Sequence, residues 1–434
     1  MKTKLSLAVA AALLAGASSA NAGIMIPAGD WTLDIGGVVN AYYTSTRASG
    51  TGTGLAGANA TGSKTESNIT TGLLPNYLSV SGKTRQNDLD VGFTISINPG
   101  ASTTSSGKQS AQQENRQAFL TFGDKSWGSI KLGKDLGIYA SDAILNDMTL
   151  LGVGSAAGFL AGNTTTLGRI GTGFMYADWK SQVAYSSPNW NGFSFTGGVT
   201  QAWNANNSTG RGGASPAFEG KASYEWAGDF GGKAWVSGIT QKVKGINSHA
   251  ANIVGVNTLL NTAGTAVSST SVKAASAASA GTSDHANAWD IGATVNVAGF
   301  GLTGYYGQGE GTGTTVLLNQ GFDAAGQSRS SQDWYVQGTY TIPTVGTKLG
   351  VSYGESSLDG NSIDTFNDSS NRMWTIGAYH PITKHLNLVA EYSDVKGERD
   401  NKAVAAVAGV SRAQAAGNVE GKTKTISLGA ILFF

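Results

Sequence analysis

The sequence predicts an all-β protein, a transmembrane antiparallel up-and-down β-barrel of 16 strands. The most informative stretch is the final KTKTISLGAILFF, where apolar side chains occupy every second position: Ile426, Leu428, Ala430, Leu432 and Phe434. Strict alternation puts this set on one face of a strand and small polar residues on the other. A barrel that closes on its last strand and faces lipid would end in this way.

The first residues predict export. Lys2 and Lys4 precede an apolar run over residues 5–15, and Ala20-Asn21-Ala22 has the small-x-small pattern of a cleavage site. The run is too short to span a bilayer as a helix. We therefore expect residues 1–22 to be a signal peptide and residues 23–434 to form a single barrel domain.

Composition narrows the class of protein. The chain has 29 Lys and Arg against 28 Asp and Glu, and loss of the two N-terminal lysines leaves 27 against 28, a net charge of −1. A nearly neutral chain argues against nucleic acid as a partner. There is no cysteine, which excludes disulfides and thiolate metal sites. The 62 glycines and a charged fraction of only 13% suit short strands between lipid and water.

The connections between the predicted strands alternate between short and long, as an up-and-down barrel requires. Seven short turns on one rim and eight long loops on the other return both ends of the domain to the turn side. The 16 strands are expected at residues 30–47, 74–85, 88–98, 114–122, 128–134, 176–187, 192–203, 218–226, 233–243, 287–297, 301–310, 332–342, 348–355, 372–381, 386–395 and 422–434.

Several strands show which face should meet lipid. In the third strand Phe93 and Ile95 share an apolar face opposite Thr94, and the eighth and twelfth strands alternate in the same way. A soluble β-sandwich would also alternate, but it rarely needs so many strands. Aromatic residues at strand ends suit the interfacial girdles of a membrane barrel: Trp31, Trp203, Trp226 and Trp334.

The third long connection, residues 135–175, is where we expect function to lie. Apolar residues recur at helical spacing in its first part, and three acids lie loosely on another side. The apolar set is Leu136, Ala140, Ile144 and Met148, and the acidic set is Asp135, Asp142 and Asp147. A short helix folded into the lumen would rest its apolar side on the wall and turn its carboxylates to the pore. An ordinary surface loop is an equally good interpretation of the spacing.

Basic residues on nearby strands offer an opposing wall. They are Arg47, Lys83, Arg85, Arg116 and Lys131. Acids on one side of a lumen and bases on the other would create a transverse field that acts on ions and polar solutes.

One stretch carries a family resemblance. Residues 115–120, NRQAFL, and 128–134, GSIKLGK, resemble the Arg-Gln-Ala-aromatic strand and the following Gly-x-apolar-x-apolar-Gly-basic strand of general Gram-negative porins. The chain departs from that family in strand two, where Tyr77 stands in place of an arginine and Ser81 in place of a lysine.

The resemblance implies a fold, an assembly and an activity. It implies a homotrimer in the outer membrane among lipid and lipopolysaccharide, with the third loop folded into the lumen as a constriction. It further implies passive diffusion without a cofactor, and recognition of Phe434 by the barrel-assembly machinery. Because Tyr77 replaces an arginine, we expect mild ion selectivity with a lean to cations.

The predicted function is a water-filled outer-membrane channel for small hydrophilic solutes and ions. A substrate-specific channel for a sugar or an organic acid is the nearest alternative, and a track of lumenal aromatics would favour it. An outer-membrane hydrolase or adhesin on a barrel is less well supported, because none of the four histidines lies at a convincing spacing from a Ser/Asp pair.

Overall fold

The computed structural model describes residues 23–51, 65–101, 113–155, 165–172, 175, 177–203, 215–246, 258–260, 266–269, 282–314, 318–403 and 416–434. The expected signal peptide, residues 1–22, lies outside this range. Within it, no helix is long and apolar enough to cross a membrane.

The described secondary structure is almost entirely β. The strands of the first half are β1 (Ile24–Ala28), β2 (Trp31–Gly50), β3 (Thr65–Thr70), β4 (Tyr77–Gln86), β5 (Leu89–Pro99), β6 (Gln113–Glu114), β7 (Ala118–Asp124), β8 (Gly128–Leu136), β9 (Trp179–Ser186), β10 (Phe193–Thr200) and β11 (Ala217–Trp226). Those of the second half are β12 (Phe230–Ile246), β13 (Thr258–Leu260), β14 (Ala266–Ser269), β15 (Thr282–Val297), β16 (Phe300–Glu310), β17 (Ser330–Thr341), β18 (Lys348–Asp359), β19 (Phe366–Pro381), β20 (Leu386–Asn401) and β21 (Gly417–Phe433). The helical segments are α1 (Ser141–Leu145) and the 3₁₀ turns Met148–Leu151 and Ile170–Thr172.

Nineteen of these segments form one antiparallel sheet, and β13 and β14 form a separate pair. Three short segments add no further spanning strand, because each extends the line of another strand. β3 and β4 pair with successive parts of β2, β6 and β7 pair with successive parts of β5, and β1 and β21 pair with the N-terminal and later parts of β2. The result is the predicted barrel of 16 spanning strands. Pairing of β2 with β21 closes it, from Val38 opposite Phe433 to Gly50 opposite Gly421.

The two faces of the strands differ as the alternation predicts. Outward-facing apolar residues are exposed, for example Ile95 on β5 and Val336 on β17. Their neighbours Ser96 and Gln337 are buried on the inner face. The outer surface is therefore apolar and the lumen polar, which is the arrangement that a barrel in lipid requires.

Aromatic pairs mark both edges of the apolar band. On the loop side, pairs join adjacent strands with ring centroids 5.2 to 5.6 Å apart: Trp289–Tyr306, Trp334–Tyr353 and Trp374–Tyr392. On the turn side, Trp31 packs on Phe93 and Trp226 on Tyr224. Such girdles form where rings bridge hydrocarbon and headgroups.

Trp203 is an exception, and its assignment to a girdle is wrong. Its side chain is 5% exposed and its Nε1 donates to Asp178 Oδ2 at 2.9 Å. The ammonium of Lys180 lies 3.6 Å from the centroid of the ring. Because β10 ends at Thr200, Trp203 lies beyond the strand and packs inside the barrel.

Candidate functional site

The third long connection, expected at residues 135–175, runs over residues 137–178 between β8 and β9 and is here called the inner loop. Its described part lies inside the barrel. Its described residues hydrogen-bond to inward-facing side chains of β11, β12, β17, β18 and β20, which lie on different parts of the wall. A loop outside the barrel could not reach all of these strands. The inner loop therefore occludes part of the lumen.

The loop enters the lumen at Glu219 of β11. One carboxylate oxygen of Glu219 accepts the backbone N–H groups of Ile138 and Tyr139 at 2.8 and 2.9 Å. The other oxygen accepts from Lys180 at 2.6 Å and from Thr200 at 2.7 Å. A fully satisfied buried carboxylate fixes the direction in which the loop enters.

Asp142, in the first turn of α1, is held by two lysines. Its Oδ2 lies 2.9 Å from Lys221 Nζ on β11, and its Oδ1 lies 2.6 Å from Lys233 Nζ on β12. Burial alone would raise the pKa of this carboxyl, but the two ammonium groups outweigh burial and hold the pKa below its usual value. The helix is thereby tied to the wall by charge.

Further along the loop, backbone N–H groups donate hydrogen bonds to side chains of the wall. Gln337 of β17 accepts the Met148 N–H at 2.9 Å, and Asp147 accepts the Thr149 N–H at 2.9 Å at the start of the first 3₁₀ turn. Glu391 of β20 then accepts the N–H groups of Val153 and Gly154 at 2.8 and 2.9 Å. These contacts carry the loop across the lumen.

Two further contacts secure the return of the loop toward the wall. The buried Arg169 guanidinium donates to the Met373 carbonyl at 3.1 Å and to Ser352 Oγ at 2.6 Å. Apolar packing adds to these bonds, because Met148 and Val153 lie in a buried cluster with wall residues Val38, Tyr42, Tyr379, Val389, Ile431 and Phe433. The described residues of the loop are therefore held to the wall at several points along its path.

The orientation expected for the three carboxylates is wrong. Asp135, Asp142 and Asp147 are only 1 to 5% exposed and face the wall or the loop itself. The helical spacing does not continue, because α1 covers only Ser141–Leu145. The partly exposed residues of this region are Ile144, Leu145 and Asn146. Acids turn to the wall because its lysines solvate them better than an apolar support would.

The expected basic wall is only partly assembled. Lys131 contacts Asp135 and stacks on Phe119, so one basic and one acidic residue of the prediction do meet. Arg85 instead lies at the turn rim, 2.8 Å from both Asp90 and Asp124.

The remaining members of that wall are scattered. Arg47 shares the outward face of β2 with Val39 and Tyr43, so its assignment to the lumen is wrong. Arg116 is 3% exposed beside Glu114, which lies 3.1 Å away. Lys83 is exposed near the turn end of β4, and Tyr77 packs against the apolar cluster under the loop.

Several anchoring residues were not among the predicted site residues. Alternation of β11 already put Glu219 and Lys221 on the inner face, so an acid and a base facing the lumen there were a usable signal. Glu391 also follows the alternation of its strand. Nothing local distinguishes Arg169, whose partners lie about 200 residues away in the chain.

Among the described residues, no group of three or more His, Asp or Glu side chains is placed to hold a metal ion. The described histidines are dispersed: His380 contacts Thr347 Oγ1 at 2.8 Å, and His285 is exposed on the outer face of β15. His249 lies outside the described residues.

Comparison with known proteins identifies the class as an outer-membrane diffusion channel. The model of the Gram-negative porin family matches residues 7–324 and 263–400. The chain therefore belongs to the Gram-negative porin family, and it is a multi-pass outer-membrane β-barrel that forms a channel for passive diffusion. No curated protein matches the chain.

Solved structures share the fold at low identity. The anion-selective porin from Comamonas acidovorans is 16% identical, with a TM-score of 0.56 over 93% of this chain and 100% of that one. The outer-membrane channel DcaP of Acinetobacter baumannii is 13% identical, with a TM-score of 0.58 over 93% and 98%. A trimer form of OmpT of Vibrio cholerae is 13% identical, with a TM-score of 0.52 over 93% and 99%.

Proposed function

We propose that the inner loop makes a fixed constriction with weak selectivity and a lean to anions. The observation that carries this proposal is the unequal exposure of paired charges. Side chains of Lys131 and Lys221 are 31% and 22% exposed, whereas their partners Asp135 and Asp142 are each 2% exposed. Water in the lumen therefore meets ammonium groups, with carboxylates behind them.

The preference should be weak, because acids also remain in reach of water. Glu225 is 22% exposed and lies 3.6 Å from Lys233, and the Glu114 side chain is 31% exposed whereas its partner Arg116 is 3% exposed. Fields from such partly screened groups fade within about 8 Å at physiological salt. This preference for anions differs from the cation preference expected from the sequence. That expectation treated the replacement of an arginine by Tyr77 as the loss of a positive charge from the lumen, but Tyr77 packs under the loop.

The reversal potential of the purified channel in a planar bilayer, under a KCl gradient, tests the proposal. We expect a small anion preference that Lys221→Gln shifts toward cations. Lys424→Gln is the matched control, because Lys424 lies on the outer face and is 53% exposed. A strongly cation-selective wild type, or no shift in Lys221→Gln, would contradict the proposed constriction.

A general diffusion channel is favoured over one built around an aromatic track. Five large inward-facing aromatic residues are at most 4% exposed, because they pack under the inner loop or against one another: Tyr42, Trp235, Tyr305, Tyr335 and Tyr379. Their rings are thus used to support the loop. Saturable transport of one sugar or organic acid by the reconstituted protein would overturn this assignment in favour of the substrate-specific channel.

We also propose that the protein is a homotrimer that catalyses no covalent reaction. The trimer form of the structurally similar Vibrio cholerae protein supports the assembly. The family and fold, which are those of a channel, support the absence of an enzymatic role. Cross-linking of the protein in its native membrane should give a ladder that ends at three chains, and a ladder ending at one chain would refute the trimer. Hydrolysis of a substrate by purified protein would refute the absence of catalysis.

A further inference from the structure

Two buried carboxylates lie behind the inner loop, on the strands that flank Gly307. Asp290 of β15 is directly opposite Gly307 of β16, and Gly307 is directly opposite Asp333 of β17. The two acids are 0% and 1% exposed. Both side chains face inward, where the residues of the loop cover them.

These carboxylates have too few partners. Asp290 Oδ1 accepts a hydrogen bond from Ser237 Oγ at 2.7 Å, whereas Asp290 Oδ2 has no partner among the described residues. Asp333 has the Tyr305 hydroxyl and the Met175 backbone N–H as polar neighbours, but neither makes a well-formed hydrogen bond to its oxygens. Neither acid forms an ion pair within the described part of the chain, and the nearby Lys221 is bound to Asp142. Buried charge of this kind is costly unless something neutralises it.

Two phenol groups lie near these acids, Tyr305 of β16 beside Asp333 and Tyr139 of the inner loop. Their side chains are 4% and 0% exposed, and neither hydroxyl makes a well-formed hydrogen bond within the described part of the chain. A Cβ atom on Gly307 would lie 2.6 Å from Asp333 Oδ1 and 2.6 Å from the Tyr305 hydroxyl. The missing side chain at 307 thus leaves a space that oxygen atoms line. Tyr139 lies within the electrostatic range of both acids.

The geometry points to a binding site for one hard divalent cation of the Ca²⁺ type above Gly307. The five oxygen donors are both oxygens of Asp333, Oδ2 of Asp290 and the hydroxyls of Tyr139 and Tyr305. Ca²⁺ binds about 6–8 oxygens in flexible geometry, so waters would complete the shell. Mg²⁺ is a poorer match because it demands a near-ideal octahedron and keeps its waters.

Charge and spacing both suit a bridging ion. Two positive charges balance the two carboxylates, which form no ion pair within the described part of the chain. The backbones at Asp290 and Asp333 are two strands apart, about 9.6 Å across the sheet. The two carboxylates therefore do not contact each other directly, and an ion between their side chains would link them. Because Tyr139 belongs to the inner loop, the ion would pin the loop to β15 and β17, independently of the lysines that hold Asp142.

Terbium(III), which takes the ligands of Ca²⁺ and emits when nearby tyrosine is excited, is the probe. The purified full-length porin, free of lipopolysaccharide and stripped with EDTA in detergent, should bind one Tb³⁺ per chain, and Ca²⁺ should displace it. Ca²⁺ should also raise the heat-unfolding temperature of the stripped protein. No sensitised emission and no Ca²⁺-dependent shift in wild type would overturn the site.

Two variants and a control locate the ion. Gly307→Ala fills the space and Asp333→Asn removes a donor without a change of size, so each should weaken Tb³⁺ binding at least about tenfold. Gly304→Ala is the matched control on the same strand, where an added Cβ meets nothing within 4 Å. If Gly307→Ala does not fold, Asp333→Asn decides. Unchanged Tb³⁺ binding in a folded variant would place the ion elsewhere and refute the inference.

Discussion

At the scale of single residues, Asp142 contributes most clearly to the arrangement of the lumen. Its carboxylate binds Lys221 and Lys233, which come from adjacent strands. Loss of one partner from a buried ion pair costs more than the pair contributes, because a charge is left without compensation. The position of α1 against the wall therefore depends on this carboxylate.

Asp142→Asn should loosen the inner loop. We expect a cost of about 3 kcal/mol, the low end for a broken buried pair, because Lys221 can turn to water. Heat unfolding should occur at a lower temperature and open-channel current noise should rise. Asp394→Asn, which removes an outer-face acid 3.6 Å from Lys424, is the control. Equal stability and noise in the two variants would refute the anchoring role.

Low pH should loosen the inner loop in the same way as Asp142→Asn. The pKa of Asp142 is lowered in the folded protein, so its contribution to stability is fully present above the ordinary value of about 3.9. The contribution is lost as the pH falls through the folded pKa. We expect current noise in the wild type to stay constant from neutral pH to about pH 5 and to rise below about pH 4. The rise should be absent in Asp142→Asn, and an equal rise in both would exclude Asp142 as its cause.

The sequence was informative at this scale only where a strand pattern decided the direction of a side chain. Alternation correctly turned Lys131 to the lumen and Ile95 to the outside. It could not orient Asp142, because its two lysine partners lie on strands about 80 to 90 residues further along the chain. The alternation of β2 places Arg47 on the outer face with Tyr43, so a position at the end of a strand does not by itself indicate the lumen.

At the scale of elements, the strands were predictable and the inner loop was not. Period-2 alternation over many residues identifies a strand with lipid on one side, whatever its partners. The loop spacing suggested a helix from Asp135 to Met148, but only Ser141–Leu145 is α-helical. Glu219 and Gln337 instead accept the backbone N–H groups of Ile138, Tyr139 and Met148, so these residues do not need to continue the helix.

Adjacent positions of β5 should differ sharply in their tolerance of arginine. Ile95 is 55% exposed on the apolar outer face, so Ile95→Arg should cost about 2–4 kcal/mol near the membrane midplane. Phe93→Arg should cost less, because Phe93 packs on Trp31 in the girdle. Thr94 faces the lumen beside Ser81, and Thr94→Arg should be tolerated. Unfolding of the variants in lipid vesicles measures these costs, and equal costs at 94 and 95 would mean that the register is wrong.

At the scale of the whole molecule, closure of the barrel depends on the last residues. Phe434 exchanges two backbone hydrogen bonds with Gly37, at 2.8 and 3.0 Å, at the point where β21 meets β2. A Cβ on Gly37 would lie 2.6 Å from the Phe434 ring, so the ring covers this glycine. Closure leaves no free edge on the sheet within the bilayer.

Deletion of Phe434 should reduce assembly more than it reduces stability. The resemblance to porins implies that the barrel-assembly machinery reads the terminal aromatic, while the remainder of the β2–β21 pairing would stay in place. Outer membranes should then contain little heat-modifiable barrel, whereas the same variant refolded in detergent should unfold near the wild-type temperature. Phe433→Leu, which keeps the terminal aromatic, is the control. Normal amounts of the truncated protein in outer membranes would contradict this role.

The proposed channel is permanently open, filled with water and narrowed by the inner loop. Single-channel conductance of the purified protein, measured in planar bilayers over a wide range of KCl concentrations, tests this proposal most directly. The structure predicts a conductance that rises in proportion to the conductivity of the solution, because ions cross in water without a strong binding site. A conductance that saturates at low salt would contradict the account, since it would show that ions or solutes bind on their way through.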